Sequence, residues 1–282
     1  MTYREKHFFG RSSAGPHKVA YLEWGDPDNP QVVMCVHGLT RNNRDFDYLA
    51  AALEADFRVI CPNIVGRGNS GRLENPLGYA YPQYIQDLTG FIGKLGVGQV
   101  YWVGTSMGGA IGMGIAASDN SPIAKLVLND IGPFVGRNAL ARVRQSIGAA
   151  GTFSDIEAAE AYFRRAYAAT GALTAEQWRH LAEHGTQKLV DGHLALAYDP
   201  QLSAPYLGVE VKDVDLWAWW RRIACPVLLL HGTASEILVP ETVREMLRQG
   251  PPTRLAEFPG IGHAPMLMEA AQIDPIVEFF RD

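Results

Sequence analysis

The chain has 282 residues, of which 47% are hydrophobic and 20% charged, and its formal net charge at pH 7 is -5. This composition is typical of a globular protein with ample apolar material for a core, and it excludes a disordered chain. Nucleic acid and anionic membranes are excluded as main partners, because both require a concentrated basic surface and the sequence has no long Lys/Arg run.

The first residues of the chain are polar, and no apolar run approaches the roughly 18 residues that a membrane span requires. A cytoplasmic protein is therefore expected. The three cysteines lie in or beside apolar, strand-like runs without metal-ligand spacing, which favours reduced thiols at Cys35, Cys61 and Cys225.

Two strands are predicted to open the chain, over residues 5–10 and 19–24. Buried apolar strands and amphipathic helices then alternate. The predicted elements are strand 31–36, helix 46–53, strand 57–61, helix 83–95 with Pro82 in its first turn, a strand from Val100, a helix after Ser106 and strand 123–128. This alternation predicts a doubly wound parallel sheet whose functional sites lie at the carboxyl ends of its strands.

Helical patterns replace the strand pattern from about Phe134 to Arg222. Capping boxes at 154–157 and 174–177 predict the starts of two of these helices. The sheet pattern then resumes with strand 226–231, helix 241–248, strand 253–258 and a closing helix over 266–281. We therefore predict a core made of residues 1–133 and 222–282, interrupted by a helical insertion over residues 134–221.

Ser106 lies between a predicted strand and a predicted helix, with Gly104 and Gly108 two positions to either side. Glycines at these positions permit a turn so tight that a Cβ atom would collide with neighbouring backbone. The helix that begins there directs unpaired N–H groups and a positive dipole end toward developing negative charge. The stretch therefore predicts a nucleophile elbow with Ser106 as the nucleophile.

A serine hydroxyl requires a positioned base, and His263, in the glycine-flanked loop after the last strand, is predicted to supply it. The triad acid should lie between the two in sequence. Glu236, just after strand 226–231, is the preferred candidate. Asp130, at the end of strand 123–128, is the alternative, because the turn around it gives its side chain a competing local role.

The backbone N–H groups of Met107 and Leu39 are predicted to form the oxyanion hole. His37 is interpreted as a hydrogen-bonded residue that fixes the loop of Leu39. Arg41 and Arg44 follow this loop and can meet a substrate carboxylate, although surface salt bridges are favoured.

Two features resemble ligand sites but are interpreted otherwise. His180 and His184 have metal-ligand spacing on a predicted helix, yet lack a third ligand in the pattern, which favours a solvated helix face. The run 66–71 lacks the Gly-Lys-Ser/Thr ending of a phosphate loop and is interpreted as a structural turn. No metal and no cofactor are expected.

Taken together, the motifs resemble those of the α/β-hydrolase fold superfamily, over nearly the whole chain and in the same order. The motifs are His37-Gly38, Gly66-Arg-Gly-Asn-Ser70, Gly104-Thr-Ser-Met-Gly108, Glu236 and Gly262-His263. Within the superfamily the chain is similar to bacterial capped esterases and lactonases of the enol-lactone hydrolase type. It departs from them at Glu236 and Asn63, where such families usually have Asp.

The resemblance implies an α/β-hydrolase fold: a mostly parallel eight-stranded sheet with helices on both faces, and a helical cap inserted after the sixth strand. It also implies a cofactor-free serine hydrolase that cleaves a small-molecule carboxylic ester through a Ser-His-acid triad and an acyl-enzyme intermediate. Carbon-carbon bond hydrolysis, cofactor-free oxygenation and a small-molecule receptor with a vestigial triad remain alternatives on this fold. The sequence leaves the acyl group, the alcohol group and the oligomeric state open.

Overall fold

The apolar runs of the sequence form a central sheet in the computed structural model, which describes residues 2–147 and 151–282. The strands, in chain order, are β1 (Tyr3–Ser12), β2 (Gly15–Trp24), β3 (Val32–Val36), β4 (Arg58–Pro62), β5 (Val100–Thr105), β6 (Ile123–Asn129), β7 (Phe134–Val135), β8 (Thr186–Lys188), β9 (Leu194–Leu196), β10 (Val214–Asp215), β11 (Val227–Gly232) and β12 (Thr253–Phe258).

Helices connect these strands and cover the sheet. The α-helices are α1 (Asp47–Leu53), α2 (Tyr81–Ile92), α3 (Met107–Ala116), α4 (Arg137–Ser146), α5 (Ile156–Ala166), α6 (Ala175–Gly185), α7 (Trp217–Trp220), α8 (Pro240–Arg248) and α9 (Ala270–Arg281). Short 3-10 helices cover Asn43–Phe46, Pro76–Gly78, Ala168–Thr170 and Pro200–Tyr206. Among the helices of the described ranges, none is long and apolar enough to cross a bilayer.

Within residues 2–147 and 151–282 the main sheet has eight strands, in the order β1-β2-β4-β3-β5-β6-β11-β12. Strand β2 pairs antiparallel with β1 and β4, and the remaining neighbours are parallel. Strands β3 and β11 are buried along their whole length, because apolar side chains pack on both faces of a parallel sheet. The predicted eight-stranded, mostly parallel α/β fold is confirmed.

Two apolar layers hold the sheet between its helices. One layer contains Leu49 of α1 and Phe279 of α9, and the other contains Leu88 of α2 and Ile111 of α3. Because α3 packs directly against β5 and β6, the turn that joins β5 to α3 is held at the centre of the sheet edge. That edge carries the residues described below.

Several helix boundaries differ from the predicted ones. Helix α9 begins at Ala270 rather than at residue 266, because the side chain of Gln272 accepts the backbone N–H of Leu267 (2.7 Å) and Leu267 turns into the core with φ 56°. The capping box of Thr174 and Gln177 is present at the start of α6. Helix α5 instead takes Asp155 as its N-cap, one residue after the predicted Ser154.

The segment that interrupts the sheet pattern leaves the core after β6 and returns before β11. Strands β7 and β10 pair antiparallel, so the chain enters and leaves the segment at neighbouring points. Besides α4, α5 and α6 it contains the β8–β9 hairpin, so it is less purely helical than predicted. Residues 148–150 of this predicted insertion lie outside the described residues.

Candidate active site

Ser106 occupies the turn between β5 and α3 with φ 52° and ψ -113°, a conformation that costs a non-glycine residue energy. A Cβ atom on Gly104 would lie 2.4 Å from the carbonyl carbon of Gly108. A Cβ atom on Gly108 would lie 2.0 Å from the carbonyl oxygen of Val36 on β3. The tight turn that the two glycines predict is therefore present, and it raises the Ser106 hydroxyl above the sheet edge.

Ser106, His263 and Asp130 form a continuous hydrogen-bonded chain. The Ser106 hydroxyl donates to Nε2 of His263 at 2.8 Å, and Nδ1–H of His263 donates to Oδ2 of Asp130 at 2.7 Å. The Asp130 side chain is completely buried, whereas the His263 side chain is 23% exposed. Because the carboxylate holds the proton on Nδ1, the lone pair of Nε2 faces the serine.

The structure does not place Glu236, the preferred candidate for the acid, beside His263; the alternative, Asp130, is the carboxylate that contacts His263. The Glu236 side chain is 71% exposed and pairs with Arg142 at 2.7 Å. With φ 55°, Asp130 directs its oxygens toward Gly232 N–H (2.9 Å) and His263, instead of its own turn. The local role that the sequence suggested for Asp130 is thus replaced by bonds to the β11 end and the β12–α9 loop.

His37 fixes the loop after β3, as its position predicts. Its Nδ1–H donates to the carbonyl of Gly38 at 2.7 Å, and its Nε2 accepts the backbone N–H of Ile64 at 3.0 Å. Complete burial lowers the pKa of His37 to about 3, against the smaller raising effect of the Gly38 bond. The imidazole is therefore neutral, with both ring nitrogens engaged by backbone, and it holds Gly38 and Leu39 beside the elbow.

Arg67 supports both residues predicted to form the oxyanion hole, a role that the sequence did not indicate. Its side chain is completely buried, and no described carboxylate pairs with it. Its guanidinium donates to the carbonyl of Leu39 (2.9 Å) and to the hydroxyl of Tyr84 (2.9 Å), and it approaches the sulfur of Met107 at 3.5 Å. The available signal was an arginine between two glycines, Gly66 and Gly68, that both adopt positive φ.

Hydrogen bonds among Asn63, Asn69 and Ser70 stabilise the turn around the run 66–71. Asn63, which stands where similar families usually have Asp, accepts the backbone N–H of Asn43 at 2.8 Å and donates to Asn69 at 2.8 Å. The Ser70 hydroxyl donates to the carbonyl of Asn63 at 2.6 Å. The interpretation of run 66–71 as a turn agrees with these contacts.

Two cavities meet at Ser106. We call the first, of about 150 Å³, the apolar cavity; its lining includes Met107, Ala110, Val135, Leu140 and Ile237. We call the second, of about 180 Å³, the His263 cavity; its lining includes Arg41, Asp45, Tyr167, His263 and Met266. Ser106 and Leu39 line both cavities, so a ligand that spans them passes the serine hydroxyl.

Arg41 is inside the protein, although a surface salt bridge was favoured for it. Only 8% of the Arg41 surface is exposed to solvent, and the guanidinium pairs with Asp45. The guanidinium carbon lies 5.1 Å from the ring centres of both Phe163 and Tyr167, which belong to the inserted segment. Arg41 therefore joins the loop after β3 to the segment above it, at the edge of the His263 cavity.

His180 and His184 are not on a solvated helix face, which corrects the expectation from sequence. Nε2–H of His180 donates to the carbonyl of Arg44 at 2.9 Å, and the Arg44 guanidinium lies 3.3 Å from Nδ1 of His184. With Asp47 they offer three metal-ligand atoms within 4.8 Å of one another, but Arg44 already pairs with Asp47 at 2.6 Å. Burial and the charge of Arg44 lower the pKa of His184 to about 4. Because Arg44 contacts both His184 and Asp47, the cluster joins α6 to α1 through an arginine.

Comparisons with known proteins agree with this architecture. Residues 33–275 match the model of the alpha/beta hydrolase family. The chain is 43% identical to a 3-hydroxybutyrate-oligomer hydrolase of Cupriavidus necator, over 95% of this chain and 94% of the relative. It is 33% identical to the lipase LipV of Mycobacterium tuberculosis, over 75% and 74%. A crystal structure of an alpha/beta hydrolase from Novosphingobium aromaticivorans superposes with a TM-score of 0.88 at 33% identity, covering 99% of this chain and 98% of that one.

Proposed function

Because this chain belongs to the alpha/beta hydrolase family, we propose that it is a serine hydrolase of carboxylic esters, with Ser106, His263 and Asp130 as its triad. One observation carries the proposal: the hydrogen-bonded chain from Ser106 through His263 to Asp130 lies where two cavities meet. This is the geometry that nucleophilic acyl transfer requires, a nucleophile beside a base whose other nitrogen is held by a carboxylate.

The reaction begins when the Ser106 oxygen attacks the ester carbonyl and His263 Nε2 takes the hydroxyl proton. The tetrahedral intermediate collapses as His263 returns this proton to the leaving alcohol oxygen. An acyl-serine remains. Water then attacks the acyl carbon with His263 again as base, and the acid leaves with Ser106 restored. Asp130 holds the required tautomer of His263 throughout and stabilises the imidazolium that forms in each half-reaction.

The oxyanion hole is assigned to the backbone N–H groups of Leu39 and Met107. Met107 is the first residue of α3, where N–H groups have no partner in the preceding turn and the helix dipole is positive. Two hydrogen bonds fix the position of Leu39. Arg67 donates to the Leu39 carbonyl, and His37 donates to the carbonyl of the preceding residue, Gly38. Two donors fixed in this way need no reorganisation when negative charge develops on the carbonyl oxygen.

We assign short hydroxyalkanoate ester oligomers as the substrate class. The support is the name of the 43% identical relative, a 3-hydroxybutyrate-oligomer hydrolase, together with the lining of the apolar cavity, which suits methyl-substituted acyl units. The segment 134–221 acts as a cap over Ser106, because its residues Leu140 and Tyr167 line the two cavities. In this role it governs substrate choice, whereas the core carries the chemistry.

Hydrolysis of p-nitrophenyl butyrate, followed by release of p-nitrophenol, tests the proposal. The wild-type enzyme should turn it over, and a fluorophosphonate should add one adduct to the peptide that contains Ser106. Ser106→Ala should abolish both results, whereas Ser118→Ala, on the surface beyond the end of α3, should preserve them. Ester hydrolysis that persists in Ser106→Ala would contradict the assignment. Tight binding of an ester without turnover would favour a receptor instead.

A further inference from the structure

The two cavities at Ser106 differ in how they meet the histidine. Among their described lining residues, His263 belongs to the second cavity, on the side of Arg41 and Tyr167. The first cavity lies toward α3 and α4, on the side of Met107 and Leu140. An ester bound across Ser106 therefore places its acyl part and its alcohol part in chemically different surroundings.

Proton transfer fixes which part lies in which cavity. The leaving oxygen must receive its proton from Nε2 of His263, so it lies on the histidine side of the reacting carbon. The alcohol part then extends into the His263 cavity. The acyl part, which stays bonded to Ser106, extends into the apolar cavity along Met107 and Ala110.

Arg41 gives the His263 cavity a cation whose position is fixed. The stacked rings of Phe163 and Tyr167 both have their centres 5.1 Å from its guanidinium carbon, and together with the Asp45 pair they limit its movement toward solvent. Asp45 accepts hydrogen bonds from Nε (3.0 Å) and Nη2, and the Tyr167 side chain accepts a third. A guanidinium has five N–H donors, so two of the five remain after these three.

We propose that Arg41 binds a carboxylate on the alcohol part of the substrate, so that hydroxyacid oligomers are cut from their carboxyl end. In such an oligomer the alcohol part of the terminal ester is the last hydroxyacid, and it carries the free carboxylate. The acyl part ends in a neutral hydroxyl, which suits the apolar cavity. The proposal rests on the ester hydrolase function proposed above and adds the direction of cleavage to it.

Arg144 is the competing anchor, because it lines the apolar cavity. No described carboxylate pairs with it. Its guanidinium lies 4.9 Å from the Tyr206 ring centre and donates to the carbonyl of Val209 at 3.0 Å. If Arg144 bound the carboxylate of a hydroxyacid oligomer, the alcohol part that carries it would lie in the apolar cavity and the acyl part in the His263 cavity. The two arginines therefore predict opposite orientations.

The test uses the wild-type enzyme and dimers of 3-hydroxybutyrate. One dimer has a free carboxylate, a second has a primary amide at that end, and a third has a methyl ether at the hydroxyl end. We expect the amide to lower kcat/KM by roughly 10- to 100-fold, the value of a charge-assisted pair, and the methyl ether to change it by less than about 3-fold. Equal rates for the acid and the amide would overturn the proposal.

The cleavage direction is measured with a trimer that carries a methyl ether at its hydroxyl end. The first products should be free 3-hydroxybutyrate and the methyl-ether dimer. A methyl-ether monomer with an unmodified dimer as first products would overturn the proposal. In either case p-nitrophenyl butyrate hydrolysis reports separately whether the enzyme is an esterase, so the failure of the direction and the failure of the function are distinguishable.

Two variants locate the anchor. Arg41→Gln should bring the acid-to-amide ratio of kcat/KM close to one, and Arg41→Lys should restore part of it. Arg144→Gln is the matched control, because it removes the same charge from the other cavity, and it should keep the wild-type ratio. A ratio that collapses in Arg144→Gln but persists in Arg41→Gln would reverse the orientation and overturn the proposal.

Discussion

The hydroxyl of Ser235 donates to Oδ2 of Asp130 at 2.5 Å, and this is the same oxygen that accepts Nδ1–H of His263. The other oxygen of Asp130 accepts the backbone N–H of Gly232. Three donors on one buried carboxylate fix its orientation. Residues that follow β11 therefore contribute to the site, although Glu236 does not contact His263.

We expect Asp130→Asn to lower kcat by up to ~10,000-fold, because an amide cannot hold the proton on Nδ1 of His263. Glu236→Gln is the matched control; it changes an exposed carboxylate and should alter kcat by less than ~3-fold. Steady-state hydrolysis of p-nitrophenyl butyrate by both variants provides the comparison. A large loss in Glu236→Gln with little loss in Asp130→Asn would return the acid role to Glu236.

Gly108→Ala should abolish activity and destabilise the fold, since the new Cβ would lie 2.0 Å from the Val36 carbonyl oxygen. Gly90→Ala, inside α2, is the control, because a Cβ there meets nothing within 4 Å. The control should raise the free energy of unfolding by up to ~1 kcal/mol through helix propensity alone. Urea unfolding and ester hydrolysis measure both effects. Normal activity in Gly108→Ala would show that the elbow tolerates a side chain.

Arg67→Met should lower both stability and kcat. The variant leaves the buried carbonyls of Leu39 and Val65 and the hydroxyl of Tyr84 without their donor, at ~1–3 kcal/mol for each unsatisfied group. Leu39 then loses the contact that fixes its peptide. Urea unfolding gives the stability, and a fall in kcat at unchanged KM identifies lost transition-state stabilisation. A variant that is destabilised but keeps its kcat would limit Arg67 to a structural role.

Lowering the pH should destabilise the protein through His37. Its pKa is about 3 in the folded state, lowered by burial, and ~6.5 in the unfolded chain. Between these values the unfolded state binds a proton that the folded state does not, so the free energy of unfolding falls by about 1.4 kcal/mol per pH unit below pH 6.5. Urea unfolding at pH 7.5, 6.0 and 5.0 should show this slope, and His37→Gln should reduce it. An identical slope in the variant would exclude His37 as its source.

A bulky residue in the apolar cavity should change substrate preference while it preserves the chemistry. Leu140→Trp is expected to favour acetyl over hexanoyl p-nitrophenyl esters by ~10-fold or more relative to wild type, because the indole occupies the acyl space. Val190→Trp, at a fully exposed position of the same segment, should leave the preference unchanged. Fluorophosphonate labelling of Ser106 should persist in both variants. Unchanged preference in Leu140→Trp would place the acyl group elsewhere.

The features that the sequence predicted well depend on neighbours along the chain. The elbow at Ser106 and the burial of β3 follow from short local patterns, and the structure has both. The choice between Asp130 and Glu236 depends instead on how β6 and β11 lie side by side and on a single positive φ. The burial of Arg41 depends on Phe163, which lies more than a hundred positions away in the sequence and contacts the guanidinium at 5.1 Å. Sequence spacing carries no information on such contacts.

The paired strands β7 and β10 bring the two ends of the inserted segment to neighbouring points beside the main sheet. Phe134 faces Asp215 in this ladder, and the backbone N–H of Leu216 donates to the carbonyl of Pro133 at 2.6 Å. A change of length between the two strands therefore requires no shift in the register of β6 or β11, provided that the contacts with the core, such as the bond from Asn42 to the His184 carbonyl, are kept. Grafting the segment together with its core partners, such as Arg41 and Arg44, onto a related core is expected to transfer selectivity while the host keeps its own nucleophile.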